Sequence, residues 1–250
     1  MLRVLIGLLL SWTCSLGYAD SASPEALRVC YSQLKGEVES IVSSRANAVF
    51  NQLYLRITSG IKSTGLKVDA RPLPWKRCAH LIAMGEIDAA VPVVWSPERE
   101  TWAVYPKLAN GQLDSSRRLR RANYDIFVPA DSLLQWNGNS FGQATPALWA
   151  PVGYKVYEKL RKLKALTLER YGMDDALKMV ALKRLDGAVV EANDGEHYIS
   201  ELNLSGKVKR LSVPFSTDDW YLVFSYEFYE RYPNSALAIW QASAESGSSQ

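Results

Sequence analysis

The sequence predicts an α/β fold with a mostly parallel sheet, built from a strand–helix unit that occurs twice. Three observations predict it. Strand-like apolar runs alternate with helical stripes between Leu27 and Pro106. Residues 87–95, IDAAVPVVW, are almost unbroken apolar, as a strand covered on both faces requires. The pattern MGEIDAAV at 84–91 is echoed by LKRLDGAVV at 182–190, with helix end, turn, acid and buried strand in the same order.

Leu27 to Tyr31, LRVCY, reads as the first strand, and the polar, weakly periodic stretch from Lys35 to Arg45 as the loop after it. Val49, Phe50, Leu53, Tyr54 and Ile57 form a helical stripe over 46–60, closed by Gly60. Lys67 to Leu73 alternates as a short strand, and Pro72 and Pro74 stop it, since proline donates no ladder hydrogen bond. Trp75 therefore sits at a strand-to-helix junction. Cys78, Leu81 and Ile82 mark a short one-faced helix from Lys76 to Met84, with Gly85 as its left-handed cap. After the buried strand at 87–95, Ser96 is placed as an N-cap and Pro97 at the first helical position, so Arg99 lies just past the carboxyl end of a central strand. Ligands of open α/β sheets bind at that edge.

Beyond Tyr105-Pro106, residues 107–114 read as loop. Arg117, Arg118, Arg120 and Arg121 form a basic run, whose ordinary meaning is a solvated surface. Tyr124 to Val128 is a strand ended by Pro129. Further strands are placed at Ala147 to Ala150, at Thr167 to Leu168, and at Gly187 to Ala192 with Glu191 at its carboxyl end. Helices are placed after Tyr154 through Tyr157, Leu160 and Leu163, from Asp174 to Leu185, and from Gly195 to Leu202. Trp220 to Ser225 reads as a strand and Glu227 to Ala244 as a closing helix.

Composition narrows the function. A formal net charge of +3 over 250 residues gives no global reason to bind nucleic acid or an anionic membrane surface. Met1 to Ala19 has the form of a signal peptide: Arg3, the apolar run VLIGLLL, and Gly17-Tyr18-Ala19 before the expected cleavage. The residues before Cys14 lack the pattern of a lipid-attachment site. The remaining cysteines, Cys30 and Cys78, both fall in the first strand–helix region; export makes a disulfide available to them, and two buried thiols are the other reading. With His80 and His197 as the only histidines, no metal-ligand pair or catalytic Cys–His set is visible, and no cofactor is expected.

The motifs PWKRCAHLIAMGEIDAAVPVVWSPER, YDIFVP at 124–129, KRLDGAVVEA at 183–192 and WYLVFSYEFYERYP at 220–233 together resemble the bacterial periplasmic solute-binding proteins of family 3, the amino-acid-type components of ABC importers. The resemblance runs from about Leu27 to the C-terminal region. It implies the type II periplasmic binding protein fold, with two α/β lobes and a hinge of two crossover segments: residues 20–122 and 212–250 in lobe 1, and 123–211 in lobe 2. It implies a monomeric periplasmic protein that closes on a small-molecule ligand and delivers it to an inner-membrane ABC permease. By position, the arginine that pairs with a ligand carboxylate is Arg99, and the acid that receives its amine is Glu191. A guanidinium fork suits a carboxylate, and a cation and an anion facing each other suit a zwitterion. Trp75, Trp95, Tyr31 and Tyr154 are the candidate aromatic walls, and Gly153 belongs to the turn opening the second-lobe helix. Pro92 and Val94 stand where the family commonly has glycine and a hydroxyl residue, and Pro151-Val-Gly153-Tyr154 replaces its Gly-Thr or Gly-Ser segment.

Two other functions fit the same scaffold. Periplasmic cyclohexadienyl dehydratases resemble the family, with Glu191 or His197 as the general acid, although no nucleophile–base pair, metal set or phosphate loop accompanies them. A ligand-sensing module acting on a membrane receptor is the third reading.

Overall fold

The computed structural model describes residues 24–32 and 48–245. The expected signal peptide, Cys14 and the loop at 35–45 lie outside the described residues.

The elements follow in chain order as β1 (Ala26–Ser32), α1 (Ala48–Ser63), β2 (Lys67–Leu73), α2 (Trp75–Ala83), β3 (Ala89–Val94) and the single turn α3 (Pro97–Glu100). A 3-10 turn at Ser115–Arg117 leads into β4 (Arg120–Pro129), then β5 (Leu148–Trp149), α4 (Lys155–Lys162), α5 (Met173–Ala181), β6 (Gly187–Glu191) and α6 (Ala192–Glu201). β7 (Val208–Arg210), β8 (Ser216–Phe224), α7 (Tyr226–Arg231) and α8 (Pro233–Ser243) complete the chain. The strands form one sheet in the order β2-β1-β3-β8-β4-β6-β5, with β7 paired to β4.

The sheet is less parallel than the βα alternation implies. β1 pairs in parallel with β2 and β3, and β5 with β6. β8, however, runs antiparallel between β3 and β4, and β4 runs antiparallel to β6 and β7. The reason is connectivity: β4 and β8 each carry the chain from one half of the sheet to the other, in opposite senses. β4 also begins at Arg120, before the expected Tyr124, because residues 120–124 pair with 220–216 of β8.

The buried strands fall where the apolar runs predict. All of β6 is buried, and β3 is buried at every position but Pro92. Cys30 and Cys78 are joined by a disulfide, with their Cα atoms 5.8 Å apart, and tie β1 to α2 inside a cluster that includes Ile82, Ala90, Val93 and Tyr221.

Three expected element limits are corrected. Gly60 does not end α1, which runs on to Ser63; it is the point where α8 crosses, and a Cβ there would lie 2.5 Å from Ser243 Oγ. Gly65, at φ +83°, makes the turn instead. Residues 167–168 are not a strand: Leu148 bonds only to Ala165 and Thr167, and the sheet does not continue. The closing helix is two helices, because Tyr232 leaves helical geometry at φ −134° and ψ 56° ahead of Pro233.

Candidate functional site

The end of β3 builds the first side of a contact between the two halves of the sheet. Ser96 accepts the amide of Arg99 at 3.2 Å and Pro97 occupies the first helical position, so α3 starts sharply where the strand stops. Arg99 is thereby turned inward and is only 7% exposed. Its Nη1 donates to the Val94 carbonyl at 2.7 Å, and its Nη2 donates to the Gly153 carbonyl at 2.9 Å. The guanidinium carbon lies 4.8 Å from the centre of the Trp75 ring, a cation–π distance. Among the described residues no carboxylate pairs with Arg99.

Gly153 comes from the other half of the chain, in the turn that opens α4. Its φ is +86°, and a Cβ built on it would lie 2.7 Å from Trp75 Cδ1. Only glycine fits a left-handed turn against that ring. Trp75, Arg99 and Gly153 are therefore brought into one contact from three separated stretches. Tyr154 follows as the extended N-cap position of α4 and is partly buried against the main core.

The crossover strands build the far wall. Glu191 ends β6 and is 4% exposed. Its Oε2 accepts the amides of Asn193 and Asp194 at 2.8 and 3.1 Å, capping α6. Its Oε1 accepts Arg120 Nη2 at 2.7 Å and Asn193 Nδ2 at 2.9 Å. Arg120 in turn lies over Trp220, 5.2 Å from the ring centre, and the Trp220 indole donates to the Tyr124 hydroxyl at 3.1 Å. Burial pushes the Tyr124 phenol well above its ordinary value of 10.0, with Tyr154, Asp218 and Glu191 among the groups that act on it. Lys155, at the start of α4, donates to Asp218 Oδ1 at 2.6 Å, and Ser216 Oγ donates to Asp218 Oδ2 at 2.9 Å.

The sequence-predicted residues thus separate into two groups. Arg99, Trp75 and Gly153 meet where the two halves of the sheet touch, with Tyr154 next to Gly153, while Glu191 ends β6 on the crossover side and forms its ion pair with Arg120 and not with Arg99. Trp95 and Tyr31 have other surroundings. Trp95 donates its indole N–H to Glu100 at 2.8 Å and packs on the cluster around the disulfide. Tyr31 is a buried core residue edge-on to Tyr54, 6.2 Å away, and burial raises its phenol pKa. His197 pairs with Glu201 on its own helix.

Arg120, Trp220 and Asp218 were not singled out from the sequence. Arg120 sits in a run of four arginines that reads as solvated surface; Arg121 is exposed, whereas Arg117 and Arg118 are partly buried and pair with Asp114 and Glu245. The signal that separates it is strand alternation: Arg120, Ala122 and Tyr124 share one face of β4, and that face is turned inward. Among the described residues there is no cluster of ligands for a metal ion and no helix long and apolar enough to cross a membrane.

Two α/β halves joined by antiparallel crossover strands are the arrangement of the type II periplasmic binding protein fold. Solved structures with this fold superimpose on the chain. A histidine kinase sensor domain with similarity to periplasmic binding proteins matches with a TM-score of 0.62 at 17% identity, covering 87% of this chain and 88% of that one. The P235GK mutant of ArgBP from T. maritima matches at 0.64 and 12% identity, covering 88% and 87%. The GluR0 ligand-binding core from Nostoc punctiforme, in complex with L-glutamate, matches at 0.62 and 15% identity, covering 87% and 91%. No family model and no curated protein matches the sequence.

Proposed function

We propose that the chain is a solute-binding protein that holds a small polar, carboxylate-bearing solute between two lobes, residues 20–122 with 212–250 and residues 123–211. The observation that carries this reading is Arg99. A guanidinium withdrawn from water to 7% exposure, with two carbonyls and an aromatic face as its partners, retains donors and a positive charge that no side chain of the described residues neutralises. Burying an uncompensated charge costs several kcal/mol, so the arrangement is best completed by an anion in the cleft. Trp75 fixes the plane of the fork, and the α4 amides beside Gly153 add the partial positive charge of a helix N-terminus.

The fold favours the same reading, because its solved examples include proteins crystallised with arginine, glutamate or glutamine. Closure around the solute would follow from bonds that exist only when both lobes meet, as the Arg99–Gly153 bond does. The reading is of a binder and not an enzyme, acting as a periplasmic monomer that hands its solute to an ABC permease. A receptor-coupled sensor is the second reading, favoured by the likeness to a histidine kinase sensor domain.

Calorimetry of the purified chain against small mono- and dicarboxylates, amino acids included, tests the proposal. Arg99→Ala should weaken a bound carboxylate by roughly ten- to hundredfold, the worth of about 1.5–3 kcal/mol for a charge-assisted hydrogen bond. Unchanged affinity in a folded variant would remove Arg99 from the site.

A further inference from the structure

We propose that the cleft selects a small organic acid without an ammonium group over the amino acid of the same skeleton. The inference rests on the reading of Arg99 as the carboxylate receiver and specifies the rest of the ligand.

A zwitterion needs a carboxylate free to take its amine, and among the described residues both acids of the cleft already have a cationic partner. An ionised carboxylate offers about four acceptor positions. Glu191 fills four: Arg120 Nη2 and Asn193 Nδ2 on Oε1, and the amides of Asn193 and Asp194 on Oε2. Two of those bonds cap α6, so releasing them would unseat the helix end that positions the carboxylate. Releasing Arg120 instead would leave a second guanidinium over Trp220 without its counter-charge. Asp218 is held by Lys155 on one oxygen and Ser216 on the other. Asp125 belongs to the opposite face of β4 by strand alternation, where it pairs with Arg210; its unpartnered Oδ1 is buried on that side. Glu100 is committed to Lys107 and to the Trp95 indole.

The balance of charge points the same way. Among the described residues, Arg99, Arg120 and Lys155 stand with Glu191 and Asp218 as the acids of the site, and Lys159, one turn along α4, donates to the Phe215 carbonyl and lies over the Trp136 and Phe215 rings. Arg120 and Lys155 are neutralised by those two acids, and the excess lies with Arg99 and Lys159. An anion relieves that excess, whereas a zwitterion brings a further positive charge into a site whose acids are already occupied.

Calorimetry on matched pairs tests the inference directly: glutamate with glutarate, phenylalanine with 3-phenylpropionate, and 2-aminopentanoate with pentanoate. In any pair that binds, the acid should bind at least about tenfold more tightly than the amino acid, as expected when a buried charge lacks a partner. In Arg120→Gln, Glu191 regains an acceptor and a need for a cation, so the preference should collapse or reverse. An amino acid that binds the wild-type chain as tightly as its acid, or more tightly, overturns the inference and leaves Arg99 as the carboxylate receiver. Failure of every carboxylate to bind overturns that reading as well. If Arg120→Gln does not fold, the wild-type pairs alone decide.

Discussion

At the residue scale, the two arginines show what a one-dimensional pattern can and cannot carry. Arg99 was legible because its neighbours Ser96 and Pro97 fix where the helical turn begins, and local geometry then dictates where the side chain goes. Glu191 was legible as a strand-end acid. Its partner was not, since Arg120 precedes it by 71 residues and stands in a run of four arginines that nothing local marks as its partner. Long-range pairing of this sort leaves no local mark. Tyr124 gives a residue-scale prediction. Its phenol is held protonated by burial, so its folded pKa lies above the unfolded value of 10.0. The stability this provides is complete below that value and is lost as pH rises through the folded pKa. Tyr221, pushed up by burial to about 12, acts in the same direction. The urea midpoint should therefore fall as pH is raised between about 9 and 11, and less steeply in Tyr124→Phe. A midpoint with the same slope in the variant would exclude Tyr124 as a contributor.

At the element scale, strands buried on both faces were the clearest features, and helix limits the least clear. The continuous apolar runs of β3 and β6 match strands covered on both faces. Gly60 misleads because glycine serves both as a helix cap and as a place for close helix packing, and only the crossing of α8 decides between them. β7 is too short and polar to show any alternation. The disulfide was left open in the sequence and is decided by the packing of α2 on β1, which sets the two Cα atoms 5.8 Å apart. It closes a loop with a sequence separation of 48, and constraining the unfolded chain by a loop of that size is worth roughly 2–4 kcal/mol. Cys30→Ala/Cys78→Ala should lower the unfolding free energy by that amount in denaturant titrations. A reducing agent should have the same effect on the wild-type chain and none on the variant.

At the scale of the whole molecule, the α/β class and the two-fold repetition were readable, but the antiparallel centre of the sheet was not. Nothing in the residues of β8 says that it enters between β3 and β4; that follows from the chain having to return across the same boundary it crossed once. The contact of Gly153 with Trp75 makes the fit of the two halves testable. In Gly153→Ala the added methyl would meet the indole at 2.7 Å in a backbone conformation that alanine avoids, so the halves must stand further apart. Carboxylate affinity should fall at least about tenfold while thermal stability changes by only a few degrees, since few buried contacts are lost. Affinity equal to that of the wild type would show that ligand capture does not depend on this approach.

The position of β8 has a further consequence for how the molecule comes into being. The strand at the middle of the sheet is the last strand of the described residues, and until Ser216–Phe224 is in place both β3 and the start of β4 present an open edge. Neither edge can be closed before that strand is in place, so the two halves of the sheet are joined only when it arrives.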